Sequence, residues 1–236
     1  MSNDHYISEF HLQYFANSGG VYPFNLKDNK FERKIGIRSK HFTENDSDLL
    51  SDSFVNSNIK NNNNIDINSF KWWLQKIEDK TARQFKDIIK NGLNYQNSPI
   101  SYIFTLFLRS PHFKENFINK TLPYTEVNQI TYQKQSDVIY GFFAECVKLT
   151  RQKINNPLYN IATQFQYRLV KSDGYKFFLP HSFVVDINNR FLLLPISPDY
   201  ALSTCDFNKE KLVAYFENCK KYSDYVYFQN KKDYNY

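Results

Sequence analysis

Arg109 is the residue whose position demands a chemical explanation. It closes an apolar run, Ile100 to Leu108, immediately before Ser110-Pro111. A guanidinium there needs a carboxylate, phosphate or carbonyl partner, because a buried charge left unpaired is costly. Glu78, one residue from the apolar stripe of another helix-patterned segment, offers the opposite charge. Two roles follow: an Arg–Glu pair locking two helices, or a phosphate-binding arginine in a cleft. His5 lies in a segment dense in aromatics, HYISEFHLQYF (5–15), that must dock on the rest of the chain. If it meets the other two, His5, Glu78 and Arg109 form a phosphodiester-cleaving constellation. His5 supplies acid or base, Glu78 is the base or a metal ligand, and Arg109 clamps the phosphate. Only that reading calls for a cofactor, a divalent metal; no other cofactor is expected.

Other familiar chemistries have no footing. The chain has no GxxxxGK[ST] loop, GxGxxG fingerprint or GxSxG elbow, and its six glycines leave little material for a phosphate-cradling loop. No HExxH or HxxxH pair offers zinc spacing, and His41, His112 and His181 are isolated. Cys146, Cys205 and Cys219 are odd in number and form no CxxC, which implies free thiols in a reducing, cytoplasmic setting. Cys146 falls inside an apolar helical stripe and reads as a small buried hydrophobe. No apolar run reaches membrane-spanning length, and the first residues lack a secretory pattern.

The 236 residues suit one domain with a real core. Net charge is +6, but residues 1–66 hold seven basic and nine acidic residues, and residues 67–236 hold 23 and 15. A basic body with 18% aromatics is compatible with nucleic-acid contact. The 27 asparagines and the excess of lysine over arginine also fit a plain compositional bias.

The elements that must position these residues follow from periodicity. Tyr6, Phe10 and Tyr14 recur every four residues, as in a short helix packed on the body. Val21–Phe24 and Phe31–Ile35 read as a hairpin, with Pro23 placing the first strand at an edge. Thus 1–42 forms an N-terminal motif and hairpin. Residues 43–66, acidic and then Asn61–Asn64, read as a mobile loop. Residues 67–236 form a helical body with an antiparallel sheet. Its first helix spans Ser69 to Lys90, capped by Asn68 or Ser69 and stopped at Gly92, with Leu74, Ile77, Phe85 and Ile88 on one stripe. Lys71, Lys76, Asp79, Lys80, Arg83 and Lys86 fall mostly elsewhere. A central helix follows from Asn97-Ser98-Pro99 to Arg109, then a short one over 112–119 and a long one over 129–154. Period-two segments follow at 165–169, 175–179, 183–186 and 191–194, with turns at Ser172-Asp173-Gly174 and Asn188-Asn189. A last helix runs from Asn208 to Lys221, and Tyr225–Phe228 adds an edge strand. The fold class is therefore α+β, a mainly helical body with a small N-terminal hairpin and a C-terminal antiparallel meander.

Taken together, these segments resemble the uncharacterised, mainly bacterial family catalogued as domain of unknown function 4238. His5 to Phe15 is similar to its HYVPxFYLxxF-like opening. Val21-Tyr22, Ile77–Ala82, Arg109-Ser110-Pro111, Pro195-Ile196-Ser197-Pro198 and Asn218 to Tyr227 resemble its later motifs. Two departures mark a divergent member. Ser8 stands at the usual proline, and the FxTSDNP-like element, aligned with Phe177 to Phe183, keeps neither Asp nor Asn. His181 and Ser182 occupy that element here. With Tyr6 and Arg109 they are the expected binding residues. The resemblance implies no reaction.

Two functions are carried forward. One is a nucleic-acid- or protein-binding module of a bacterial or mobile-element system, with RNA, DNA or a protein as its partner and no membrane. The other is a phosphodiester-cleaving nuclease, as a toxin or phage-defence effector, using the His5/Glu78/Arg109 site.

Overall fold

The computed structural model describes residues 3–5, 7–45, 55–56, 67–109, 137, 140–141, 166–181, 183, 185–186 and 191–234. They form a mixed α+β fold. In chain order the elements are β1 (Asn3–His5), α1 (Glu9–Phe15), β2 (Gly20–Asn25), β3 (Lys30–Phe31), β4 (Ile35–Gly36), a 3-10 turn (Lys40–Phe42) and β5 (Thr43–Asn45). Then come α2 (Ile67–Asn91), α3 (Ile100–Arg109), β6 (Arg168–Lys171), β7 (Leu179–Pro180), β8 (Val185–Asp186), β9 (Phe191–Ser197) and β10 (Tyr200–Ser203). The last are α4 (Lys209–Tyr222), β11 (Tyr225–Phe228) and a second 3-10 turn (Lys231–Asp233).

Three antiparallel sheets organise the strands. β1 pairs with β5; β6, β10, β9 and β8 lie side by side in that order; and β3, β2, β11 and β7 form another sheet, with β4 also pairing β2. β9 shows why the sequence reads as it does. Leu193 packs with the aromatic cluster around α4, and Leu192, Leu194 and Ile196 pack with α2 and α3. Successive side chains point to opposite faces, both faces are covered, and the strand becomes a near-continuous apolar run. A third cluster seats α1 on β2 and β11 through Leu12, Phe15, Val21, Phe42 and Tyr227.

The helical expectations hold where residues are described. Leu74, Ile77, Phe85 and Ile88 are buried on one face of α2, and Gly92 stops it at φ +84° while its N–H donates to the Ile88 carbonyl. α2 starts at Ile67, so Asn68 and Ser69 lie within the helix and not before it. In α3 none of the described side chains is exposed. Its start is Pro99, whose carbonyl accepts from Tyr102 and Ile103, and Asn97 instead ties the end of α2 by donating to Asp87 and to the Gly92 carbonyl. α4 is capped by the Asn208 side chain and buries Leu212, Tyr215, Phe216 and Cys219. Of the long helix expected over 129–154, residues 137 and 140–141 are helical; the rest, Cys146 included, and the 112–119 helix lie outside the described residues.

Four strand expectations are corrected. β2 is interior, not an edge, because β11 pairs its other side. Pro23 is tolerated there because its carbonyl accepts from Glu32, so its nitrogen faces the side where two-residue β3 has already ended. β11 is central too, between β2 and β7, and Val226, Tyr227 and Phe228 are all buried. Residues 175–179 make no hairpin with β6: the chain leaves the Gly174 turn and only Leu179–Pro180 forms a strand, on β11. Tyr175, Phe177 and Phe178 are buried in the α4 cluster instead, and β10, which the sequence reading lacked, takes the place beside β6. Finally, Thr43–Asn45 of the expected loop is strand β5. Residues 46–54 and 57–66 lie outside the described residues.

Candidate functional site

The N-terminal segment docks on α2 and α3 through polar as well as apolar contacts. Ser8 precedes α1, and its carbonyl accepts from His11 and Leu12. Its hydroxyl does not cap the helix; it donates to Glu78 Oε1 at 2.6 Å. A serine at this position therefore supplies a hydrogen bond that a proline could not make. Phe10 packs edge-on against Phe85 and tilted against Tyr102, and the Tyr14 hydroxyl donates to the Ala82 carbonyl.

His11 is the histidine of this motif that the structure ties down. Its Nε2 lies 2.7 Å from the Pro195 carbonyl, which can only accept, so Nε2 carries the proton. Nδ1 then accepts from the Tyr102 hydroxyl at 3.1 Å. Burial pushes the imidazole down to about 4, against the smaller upward pull of the Pro195 carbonyl. A neutral ring thus joins α1, α3 and β9. Pro195 fits this strand because, among the described residues, β8 pairs with Phe191 and Leu192, and the Pro195 carbonyl accepts from His11.

The expected site residues divide as follows. Glu78 is half-buried and held by the segment that contains His5. The backbone of His5 lies in β1 and that of Arg109 ends α3, but both side chains lie outside the described residues, as do Tyr6 and Ser182. His181 sits elsewhere, after β7. Its N–H donates to the Tyr225 carbonyl and its Nδ1 meets the Tyr227 hydroxyl. The His41 ring lies 6.0 Å from it and 4.6 Å from that of Tyr225, and His41 Nε2 is buried with no hydrogen-bond partner among the described residues. Burial pushes His181 down to about 4, with the nearby His41 adding to the shift and Asp224 opposing it. Burial also lowers His41, opposed by Glu32. Both rings are neutral near pH 7 and offer a phosphate no charge. Nothing in the spacing of His41 and His181 signals their meeting, which the β2–β11–β7 pairing creates.

The solvent face of α2 has a different character. Lys71, Lys76, Lys80, Arg83, Lys86 and Lys90 are exposed, and most follow the spacing 72–76–80–83–86–90 that lines one helix face. Trp72 joins them, 63% exposed, with the Lys76 ammonium 5.2 Å from its ring centroid. Each of the three carboxylates of the helix accepts a hydrogen bond from an uncharged donor. Asp79 accepts from Gln75, Glu78 from Ser8, and Asp87 from Asn91 and Asn97. The bonds from Asn97 and then Asn91 hold Asp87 below its usual range. None of the six cations makes an ion pair among the described residues. At about 1.5 Å per residue, they are spread over roughly 30 Å of helix. Their off-stripe positions were legible in the sequence; the exposure of Trp72 beside Trp73 was not.

Among the described residues no three His, Cys, Asp or Glu side chains gather to hold a metal ion, and no helix is long and apolar enough to cross a membrane. No family model, curated protein or solved structure matches this chain.

Proposed function

We propose that this chain is a nucleic-acid-binding module that grips the phosphate backbone of RNA or single-stranded DNA with the solvent face of α2. The observation that supports it is the row of six exposed cations that make no ion pair among the described residues, ending at an exposed tryptophan. Exposed cations can neutralise phosphates and release the ions condensed on the strand. Trp72 supplies a flat surface on which any base can stack, so binding is tolerant of sequence.

The test is fluorescence anisotropy with labelled single strands over a salt series. Affinity falls steeply with salt. The Lys76→Ala/Lys80→Ala/Arg83→Ala triple variant shallows the logarithmic slope by about two, at ~0.7 per lost phosphate contact on a single strand. Trp72→Ala costs about 1–3 kcal/mol of binding. No complex at low salt would refute the reading and turn attention to an acidic protein partner.

A second reading, phosphodiester cleavage by His5, Glu78 and Arg109 in a toxin or defence effector, draws on one observation. The Ser8–Glu78 bond brings the His5 segment onto α2. Under this reading Glu78→Gln abolishes cleavage of a bound strand in the presence of divalent metal while binding persists; cleavage at the wild-type rate refutes it.

A further inference from the structure

Three segments distant in sequence meet away from α2: residues 171–176 after β6, the 198–199 turn between β9 and β10, and the C-terminal 3-10 turn. They line an open cavity of about 340 Å³, at the small end of sites that take small molecules. Its walls are preset by backbone bonds. Ser172 N–H donates to the Asp199 carbonyl and Phe177 N–H to the Pro198 carbonyl, each at 2.8 Å. Gly174, at φ +69°, makes the turn between them. On the third wall the Asp233 carboxylate accepts from the Asn230 backbone N–H and side-chain amide, at 2.9 and 3.2 Å. The Lys231 ammonium, 5.8 Å from the ring centroids of Tyr22 and Phe31, anchors the same turn.

The charges lining this cavity are unevenly used. Asp199 is paired with Lys176, and Asp233 is consumed by its own cap. Lys171 and Lys232, both exposed, make no ion pair among the described residues. We propose that this cavity is a binding site for a phosphate monoester, with Lys171 and Lys232 holding the dianion beside Ser172, whose hydroxyl donates to Asp199 Oδ1 at 3.5 Å. Two ammonium groups match a doubly charged group as point charges, in the way lysine serves phosphate. The shared chemistry has two sources: a free nucleoside monophosphate, or the phosphorylated end of a strand.

Calorimetric titration of the full chain tests the site with inorganic phosphate, adenosine 5′-monophosphate and adenosine. The monophosphate saturates the site, adenosine does not, and Lys171→Ala/Lys232→Ala weakens the monophosphate at least tenfold while an unchanged thermal melt shows the variant folded. The α2 triple variant binds the monophosphate as the wild type does, so this site and the strand-binding face fail independently. Preference for a 5′-phosphorylated over a 5′-hydroxyl oligonucleotide, lost in the double variant, supports the site and assigns the strand end as the source. Saturation by the monophosphate without that preference supports it with the free ester as the source. Unchanged affinity in the double variant, or no saturable binding of phosphate or monophosphate at millimolar concentration, overturns the proposal.

Discussion

Acidification tests the bolt formed by His11. The ring is fully enclosed among α1, α3 and β9, with no exposed surface, and burial holds it neutral down to about 4. In the unfolded chain it titrates near 6.5. As pH falls through 6.5 the unfolded state takes up a proton that the folded state refuses. Stability is therefore intact above the unfolded value and is lost as pH falls toward the folded one. The whole gap is worth roughly 3 kcal/mol, and about 2.5 kcal/mol of it is lost between pH 7 and pH 4.5. His11→Gln removes this titration and leaves that of His181 in place. Urea melts of both proteins at the two pH values measure it. The variant is less stable than the wild type at pH 7, because the Tyr102 and Pro195 bonds are disturbed, yet it loses about 2.5 kcal/mol less on acidification. Equal losses in the two proteins would refute the claim that His11 is buried neutral.

Three further outcomes follow from packing. Leu74→Ala, on the buried face of α2, costs about 2–5 kcal/mol in a denaturant melt through lost transfer and cavity terms; less than ~1 kcal/mol would show the face misassigned. Gly20→Ala places a Cβ 2.5 Å from the Ile35 carbonyl oxygen, a backbone atom that cannot swing aside, and lowers stability by about 1–3 kcal/mol; an unchanged melting temperature would mean that β2 and β4 are not paired as described. In thiol labelling of native protein, half-buried Cys205 reacts well before Cys219, which is buried and whose thiol burial pushes upward, away from the reactive thiolate; equal rates would place α4 off its cluster.

The sequence by itself determined what depends on neighbours three or four residues apart. The stripe of Leu74, Ile77, Phe85 and Ile88 and the stop at Gly92 follow from local helical geometry, and the structure holds both. The cations of α2 were likewise off the stripe by spacing alone. Tertiary structure decided what depends on partners far along the chain. Pro23 and Tyr225–Phe228 both carried edge signals, yet β2 and β11 cover each other across some 200 residues, and no local pattern encodes that pairing. The same distance explains the sites. Glu78 was matched by charge to Arg109, whose side chain lies outside the described residues; the structure adds a hydroxyl donor, Ser8, 70 residues away, which periodicity could not select. The cations became a candidate interface only when Asn97, from beyond Gly92, was seen beside Asn91 holding Asp87, and Ser8 holding Glu78. Charge composition is a property of the chain, but which charges remain unpaired is a property of the fold, because neutral donors from other segments decide which carboxylates are already engaged.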